Sequence, residues 1–153
     1  MKNLNKFIIE KLKLGKNNKV YNYHPNTRDE LVNLLDKLIK ERGNNADLND
    51  IDVSKIDNMS FLFTFVHARF NGDISEWDVS EVKNMKFMFA DCPDFNCDLS
   101  NWDVSKVEYM QQMFYNSNFS TDLSRWDVRN VKDMTDMFYG CPLEKNPPAW
   151  YKK

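Results

Sequence analysis

With 153 residues, 42% apolar and 29% charged, the chain has an ordinary globular length for one domain, and only 4 Gly and 5 Pro argue against disorder. A net charge of −2 argues against nucleic acid as the main partner, and 3 Cys without a Cys-x-x-Cys pair give neither a disulfide framework nor a zinc site. No stretch approaches the length and apolarity of a membrane span.

The first residues, Met1 to Leu12, start basic, but their apolar run is only Phe7, Ile8 and Ile9 before Glu10 and Lys11, too short for a secretion signal. A cytoplasmic location is therefore expected, or a surface location if the chain is a trimmed piece of a longer one. Between Lys6 and Leu14 the order Phe7, Ile9, Leu12, Leu14 fits a strand or a helix, and Lys19 to Tyr23 is equally open. The next segment is definite. Thr27-Arg-Asp-Glu30 is a capping box with Pro25 just outside, Leu31, Leu34, Leu35, Leu38 and Ile39 form one apolar stripe, and Gly43 is a C-terminal stop. These signals predict a helix over about 28–42. Residues 1–46 together read as an N-terminal cap of net charge +5, against −7 for the remainder.

Residues 47–142 read as four copies of one unit. The copies align as Ile51-Asp52-Val53-Ser54, Trp77-Asp78-Val79-Ser80, Trp102-Asp103-Val104-Ser105 and Trp126-Asp127-Val128-Arg129, followed by Met59, Met85, Met110 and Met134, and by Phe63, Phe89, Phe114 and Phe138. The distance from opening to closing Phe is always 19 (Phe70 to Phe89, Phe95 to Phe114, Phe119 to Phe138), while the connection before the next opening Phe shortens from 7 to 6 to 5. A fixed core with a variable connection implies units stacked on one another.

Two periods follow in order within each copy. Alternation at Ile51, Val53 and their equivalents predicts a short strand with one buried face. Val82, Met85, Met88 and Phe89, spaced by three and four, predict one face of a helix of about two to three turns, with Ser54, Ser80 and Ser105 as N-caps. The expected fold is thus α/β, a leucine-rich-repeat-like solenoid of about four strand-helix coils with an N-terminal α-helical cap. Residues 143–153, with Pro147, Pro148 and Trp150, are expected to fold over the last copy as a C-terminal cap.

The text F-N-x-D-[LI]-S-x-W-D-V-S followed by V-x-x-M-x-x-M-F resembles the 26-residue repeat of BspA-like bacterial surface proteins and mycoplasma-type lipoproteins, over roughly residues 47–142. Two departures stand out. The place of the ladder-forming Asn of ordinary leucine-rich repeats holds Ile56, Val82, Val107 and Val131, and the secretion and lipid-attachment signals of many relatives are missing. The resemblance implies protein binding or adhesion, and, for a copy without a signal, a dedicated inhibitor or effector such as a phage makes.

The Met and Phe columns belong to the core, and Trp77, Trp102 and Trp126 are expected to stack there with an acceptor for each indole N–H. Cys92 and Cys141, both three residues past a closing Phe where Ser117 stands in the middle copy, read as small turn residues, with Cys97 an extra. Recognition is left to the outward positions of the strands: Asp50, Asp52, Glu76, Asp78, Asn101, Asp103, Arg125, Asp127 and Arg129. Stacked Asp52, Asp78, Asp103 and Asp127 would lie about 4.8 Å apart and repel by roughly 1 kcal/mol per pair in water. Either each Asp accepts a local hydrogen bond two residues on, or the column engages a basic protein surface or a cation. Asp47, Asp73, Asp98 and Asp122 form a second such column.

Catalysis finds no support. His24 and His67 have no nucleophile at a telling spacing, His67 falls in the long loop Thr64 to Arg69, and no Gly-rich phosphate loop exists. The expected function is a non-enzymatic protein-protein interaction module with no catalytic residue, metal or cofactor. Alternatives are an adhesin-like surface fragment and a nucleic-acid-associated protein using Lys2, Lys6, Lys11, Lys13, Lys16 and Lys19.

Overall fold

A computed structural model describes residues 19–152. The segment Lys6 to Leu14 and the basic residues Lys2, Lys6, Lys11, Lys13 and Lys16 lie outside the described residues.

The described residues contain a single α-helix, α1, Arg28–Arg42, and a short 3-10 turn, Pro142–Glu144. Thr27 accepts from the Glu30 amide, Glu30 reaches back to the Asn26 amide at 2.7 Å, and the Gly43 amide closes on the Ile39 carbonyl. Gly43 has φ 87, in the left-handed region glycine reaches at little cost. Leu31, Leu35, Leu38 and Ile39 are buried in the common core.

The expected strand-helix coils do not form. Among the described residues the copies are joined by isolated parallel bridges, Asp47 to Asp73, Asn58 to Asn84, Asn84 to Tyr109 and Tyr109 to Asp133, with no strand or sheet. This is not a leucine-rich-repeat-like solenoid of strand-helix coils. The Met-x-x-Met-Phe runs spend their amide donors on the next copy instead of on a helix. Met85, Phe87 and Phe89 donate to the carbonyls of Tyr109, Gln111 and Met113, and Met110, Gln112 and Phe114 donate to those of Asp133, Thr135 and Met137.

The local cause is a left-handed residue in each run. Phe61, Phe87, Gln112 and Asp136, equivalent in the four copies, have φ between 53 and 58, and a helix cannot pass through such a residue. Ahead of it, the side chains of Asn58, Asn84 and Asp133 accept the amide two residues on, at 3.0 Å each, and so open the turn. Ser54, Ser80 and Ser105 therefore cap no helix. Their amides bind the Asp two residues before them at 3.1, 3.1 and 3.0 Å.

Core packing follows the repeat columns. Phe63, Phe89, Phe114 and Phe138 are at most 1% exposed and stack in sequence, with ring centroids 5.2, 5.6 and 5.9 Å apart. Opening rings fill between them, Phe95 on Phe89 at 4.0 Å and Phe119 on Phe114 at 4.1 Å. Met59, Met85, Met88, Met110, Met113 and Met137 are fully buried. Each indole donates to a carbonyl of the preceding copy: Trp77 to Leu48, Trp102 to Ile74 and Trp126 to Leu99, at 2.9, 3.1 and 2.9 Å. Trp150 donates likewise to Leu123 at 2.8 Å and stacks on Trp126 at 6.3 Å, so the terminal segment supplies a further member of the column. Trp77 and Trp102 instead pack tilted against Phe63 and Phe89.

Candidate functional site

The outward positions of the copies are corner residues before they are anything else. Asp52, Asp78, Asp103 and Asp127 each accept the amide two residues on, at 3.0 to 3.2 Å. Ser54 and Ser80 add their hydroxyls at 2.6 Å, while Arg129, which lacks a hydroxyl, clamps Asp127 with its guanidinium at 2.9 and 2.7 Å. The second column does the same, Asp47 to Asn49, Asp73 to Ser75, Asp98 to Ser100 and Asp122 to Ser124, at 2.8 to 2.9 Å. This is the local way of tolerating stacked carboxylates, since each charge is held by donors of its own turn.

Two of the nine outward residues, Asp50 and Asp52, are covered from the N-terminal side, and a third, Glu76, is ion-paired from there but stays exposed. Lys19 to Asn26 runs along the first copy, with a parallel bridge from Tyr23 to Ile51 and an Asn22 amide on the Asp50 carbonyl. Asp50 takes both guanidinium nitrogens of Arg42 at 2.9 and 3.0 Å and the Asn22 amide group at 2.8 Å. Asp52 faces His24 Nδ1 at 3.2 Å, and Glu76 pairs with Lys19 at 2.6 Å. Asp78, Asn101, Asp103, Arg125 and Arg129 remain exposed, with Asp127 half-covered by Arg129. A contact face drawn from the sequence therefore survives only over the second to fourth copies.

These hydrogen bonds fix the pH response. Around Asp52 burial pushes the carboxyl up, but the Ser54 hydroxyl and amide and His24 outweigh it, so it titrates below the ordinary 3.8. Asp73 is lowered chiefly by the Ser75 hydroxyl and amide. Asp103 is lowered by the Ser105 hydroxyl and amide despite burial and the opposing charge of Asp127. Asp98, Asp122 and Asp133 shift the same way through the turn donors Ser100, Ser124 and Thr135. A carboxyl lowered by folding contributes stability that is complete above its unfolded value and is lost as pH falls through the folded one. The melting temperature should therefore hold steady from neutral pH to about 5 and drop below about 4 as these turns protonate together. Thermal unfolding followed from pH 7 to 2.5 checks this; an unchanged melting temperature at the acid end would contradict it.

Sequence reasoning missed other parts of the surface. His67 is not an exposed loop residue: it is 8% exposed, with Nε2 2.8 Å from Asp36 Oδ1 on α1. The loop around it instead exposes Phe65 and Val66, at 79% and 77%, while Phe61, also exposed, stacks on Phe87 at 4.7 Å. The F-N pair of the repeat also carries a side-chain ladder. Asn71 accepts from the Asn96 amide and Asn96 from the Ser120 amide, at 3.1 and 2.9 Å, a role its position beside the opening Phe could have suggested.

The cysteines are free thiols. Burial pushes Cys92 up to about 12 and Cys97 up to about 11, so neither is a thiolate near neutral pH. Among the described residues no three His, Cys, Asp or Glu side chains gather to hold a metal ion, and no helix is long and apolar enough to cross a membrane.

These features define a repeat protein held by aromatic packing, indole bonds and corner carboxylates rather than by regular secondary structure. The chain belongs to the family described as Mycoplasma protein of unknown function, DUF285, whose model matches residues 33–150. No curated protein and no solved structure matches it.

Proposed function

We propose that this chain is a non-enzymatic protein-binding module of the BspA-like kind, and that it engages its partner through the aromatic loop of the first copy. One observation carries the reading. At the second left-handed corner of the copies stand Asp91, Asn116 and Gly140, residue types that adopt positive φ readily, but the first copy has Phe65 there, at φ 66. Its ring is 79% exposed and its neighbour Val66 77%. A bulky side chain held in a left-handed conformation costs about 1–2 kcal/mol. Exposed to this degree, the ring regains little of that cost by burial. A strained, exposed aromatic beside an equally exposed Val66 supports a contact surface. The charged face of Asp78, Asn101, Asp103 and Arg125 is a second element of the same proposal.

Replacing Phe65 by Asn removes the ring while suiting the backbone. Phe65→Asn should leave the protein as stable as before, or more so by about 1 kcal/mol, and should abolish retention of a protein that the parent captures from nuclease-treated native lysate. Unchanged capture by Phe65→Asn would sink the aromatic-loop reading. If Asp78→Asn with Asp103→Asn abolished capture instead, the charged face would carry the contact. Loss of all capture on nuclease treatment would favour nucleic acid.

A further inference from the structure

Each inner copy presents a comb of backbone donors to the copy that follows. The amides of Met85, Phe87 and Phe89 point at the carbonyls of Tyr109, Gln111 and Met113, while the Lys83 carbonyl takes the Glu108 and Tyr109 amides. In the last copy the equivalent groups are the amides of Met134, Asp136 and Phe138 and the carbonyl of Lys132. Among the described residues none of these four has a backbone or side-chain partner. Beside them Val131 and Met134, whose counterparts in the inner copies are buried, are only partly covered. The C-terminal segment closes one half of this end, with Trp150 on Trp126 and Tyr151 edge-on to Phe138 at 5.0 Å. What stays open is a cleft of about 440 Å³ bounded by Met134, Asp136, Tyr139, Glu144 and Tyr151.

We propose that this edge, Lys132 to Phe138, is a docking site for an extended peptide segment of a partner protein, running parallel to the edge. The occupant is set by complementarity. It must offer carbonyls at alternate residues to the three amides, and one amide to the Lys132 carbonyl, because the ladder continues in that register. It carries apolar side chains three residues apart, as Met110 and Met113 are, to cover Val131 and Met134. It needs no aromatic residue after them, since Tyr151 already lies on Phe138. The rim is of mixed charge, Asp133, Asp136 and Glu144 with Lys132 and Lys152, so backbone register and the apolar pair, rather than charge, select the segment. A second copy of this chain fits poorly. The carbonyls of Met134 and Asp136 are taken by the amides of Met137 and Tyr139, so two such edges would oppose donors to donors. At the other end Arg28 of α1 occupies the Ser60 carbonyl, at 3.2 and 2.6 Å. This site is separate from the aromatic loop and stands or falls without it.

The probe is a labelled, C-terminally amidated peptide reproducing residues 105–113, the segment that fills the equivalent place inside the protein. Titrated with the full chain, it should bind saturably. In isotope-labelled protein the amides of Met134, Asp136 and Phe138 should then exchange with solvent at least about tenfold more slowly. The same peptide with Asp at the places of Met110 and Met113 should not bind, and Met134→Lys in the protein should weaken binding at least about tenfold, as loss of a buried apolar contact does. Absence of saturable binding, equal binding of the Asp-bearing peptide, or protection confined to amides elsewhere would each overturn the proposal. So would concentration-dependent dimerisation that protects the same three amides without peptide. Exchange mapping on the parent protein keeps the test decisive if Met134→Lys fails to fold.

Discussion

Trp102→Ala should lower the unfolding free energy by about 3–5 kcal/mol, the usual cost of removing a buried indole. Trp102 is 4% exposed, leans on Phe89 at 6.4 Å and donates to the Ile74 carbonyl across the junction of two copies. Truncation therefore opens a cavity and removes a cross-copy bond in one step. The Phe replacement separates the two losses: it keeps most of the packing and forfeits the bond, worth about 0.5–1.5 kcal/mol. Urea unfolding of both variants measures the difference. A loss below about 1 kcal/mol for Trp102→Ala would mean that the indole column is not the junction it is taken to be.

The second large effect is at Gly72. A Cβ there would lie 2.0 Å from the Ala46 carbonyl oxygen and 2.6 Å from the Phe70 ring. That carbonyl cannot step aside cheaply, because it accepts the Asp73 amide at 3.0 Å and so joins the first two copies. Gly72→Ala should destabilise by about 1–3 kcal/mol or more, as forced overpacking does. Other copies carry Cys97 and Thr121 at this position, so the requirement for Gly is local to one junction and no repeat pattern announces it. Parallel unfolding of Gly72→Ala and Gly43→Ala isolates the clash. At Gly43 a Cβ meets nothing within 4 Å, and only the cost of its φ of 87 remains. A Gly72→Ala protein as stable as the parent would refute the close approach of the two copies.

The periodic residues told the core well and the backbone poorly. Columns of Phe and Met at constant spacing have to be buried together whatever the backbone does, and Thr27, Glu30 and Gly43 carry both ends of α1 in their own chemistry. Spacings of three and four in Val82, Met85, Met88 and Phe89, however, are shared by a helix and by a chain that turns a corner at a left-handed residue. Phe87 and Phe61 give no hint of positive φ by their type. The available hint was Asn58, Asn84 and Asp133, whose short side chains open the turn three residues before the left-handed one.

The candidate site was legible to the same degree. Local chemistry identified the Asp corners, since an Asp two residues before a Ser has its partner at hand. What covers Asp50 and Asp52 and pairs the exposed Glu76 comes from Arg42, His24 and Lys19, contacts made only once the N-terminal segment lies along the first copy. Trp150 was read only as part of the terminal cap; its 24-residue distance from Trp126 was the signal that could have placed it in the indole column, although the repeat text around it is lost. The exposure of Phe65 was not legible, because it depends on how the loop folds, with His67 turned in to Asp36 of α1 and Phe65 turned out.

Central to this account is a stack of copies joined by backbone bonds from one copy to the next, in place of a helix in each. Through-hydrogen-bond couplings in isotope-labelled protein test it most directly. Couplings from the amides of Phe87 and Phe89 to the carbonyls of Gln111 and Met113, and from Gln112 to Thr135, are the predicted result. A coupling from the Phe89 amide to the Met85 carbonyl, the four-residue step of an α-helix, would contradict it.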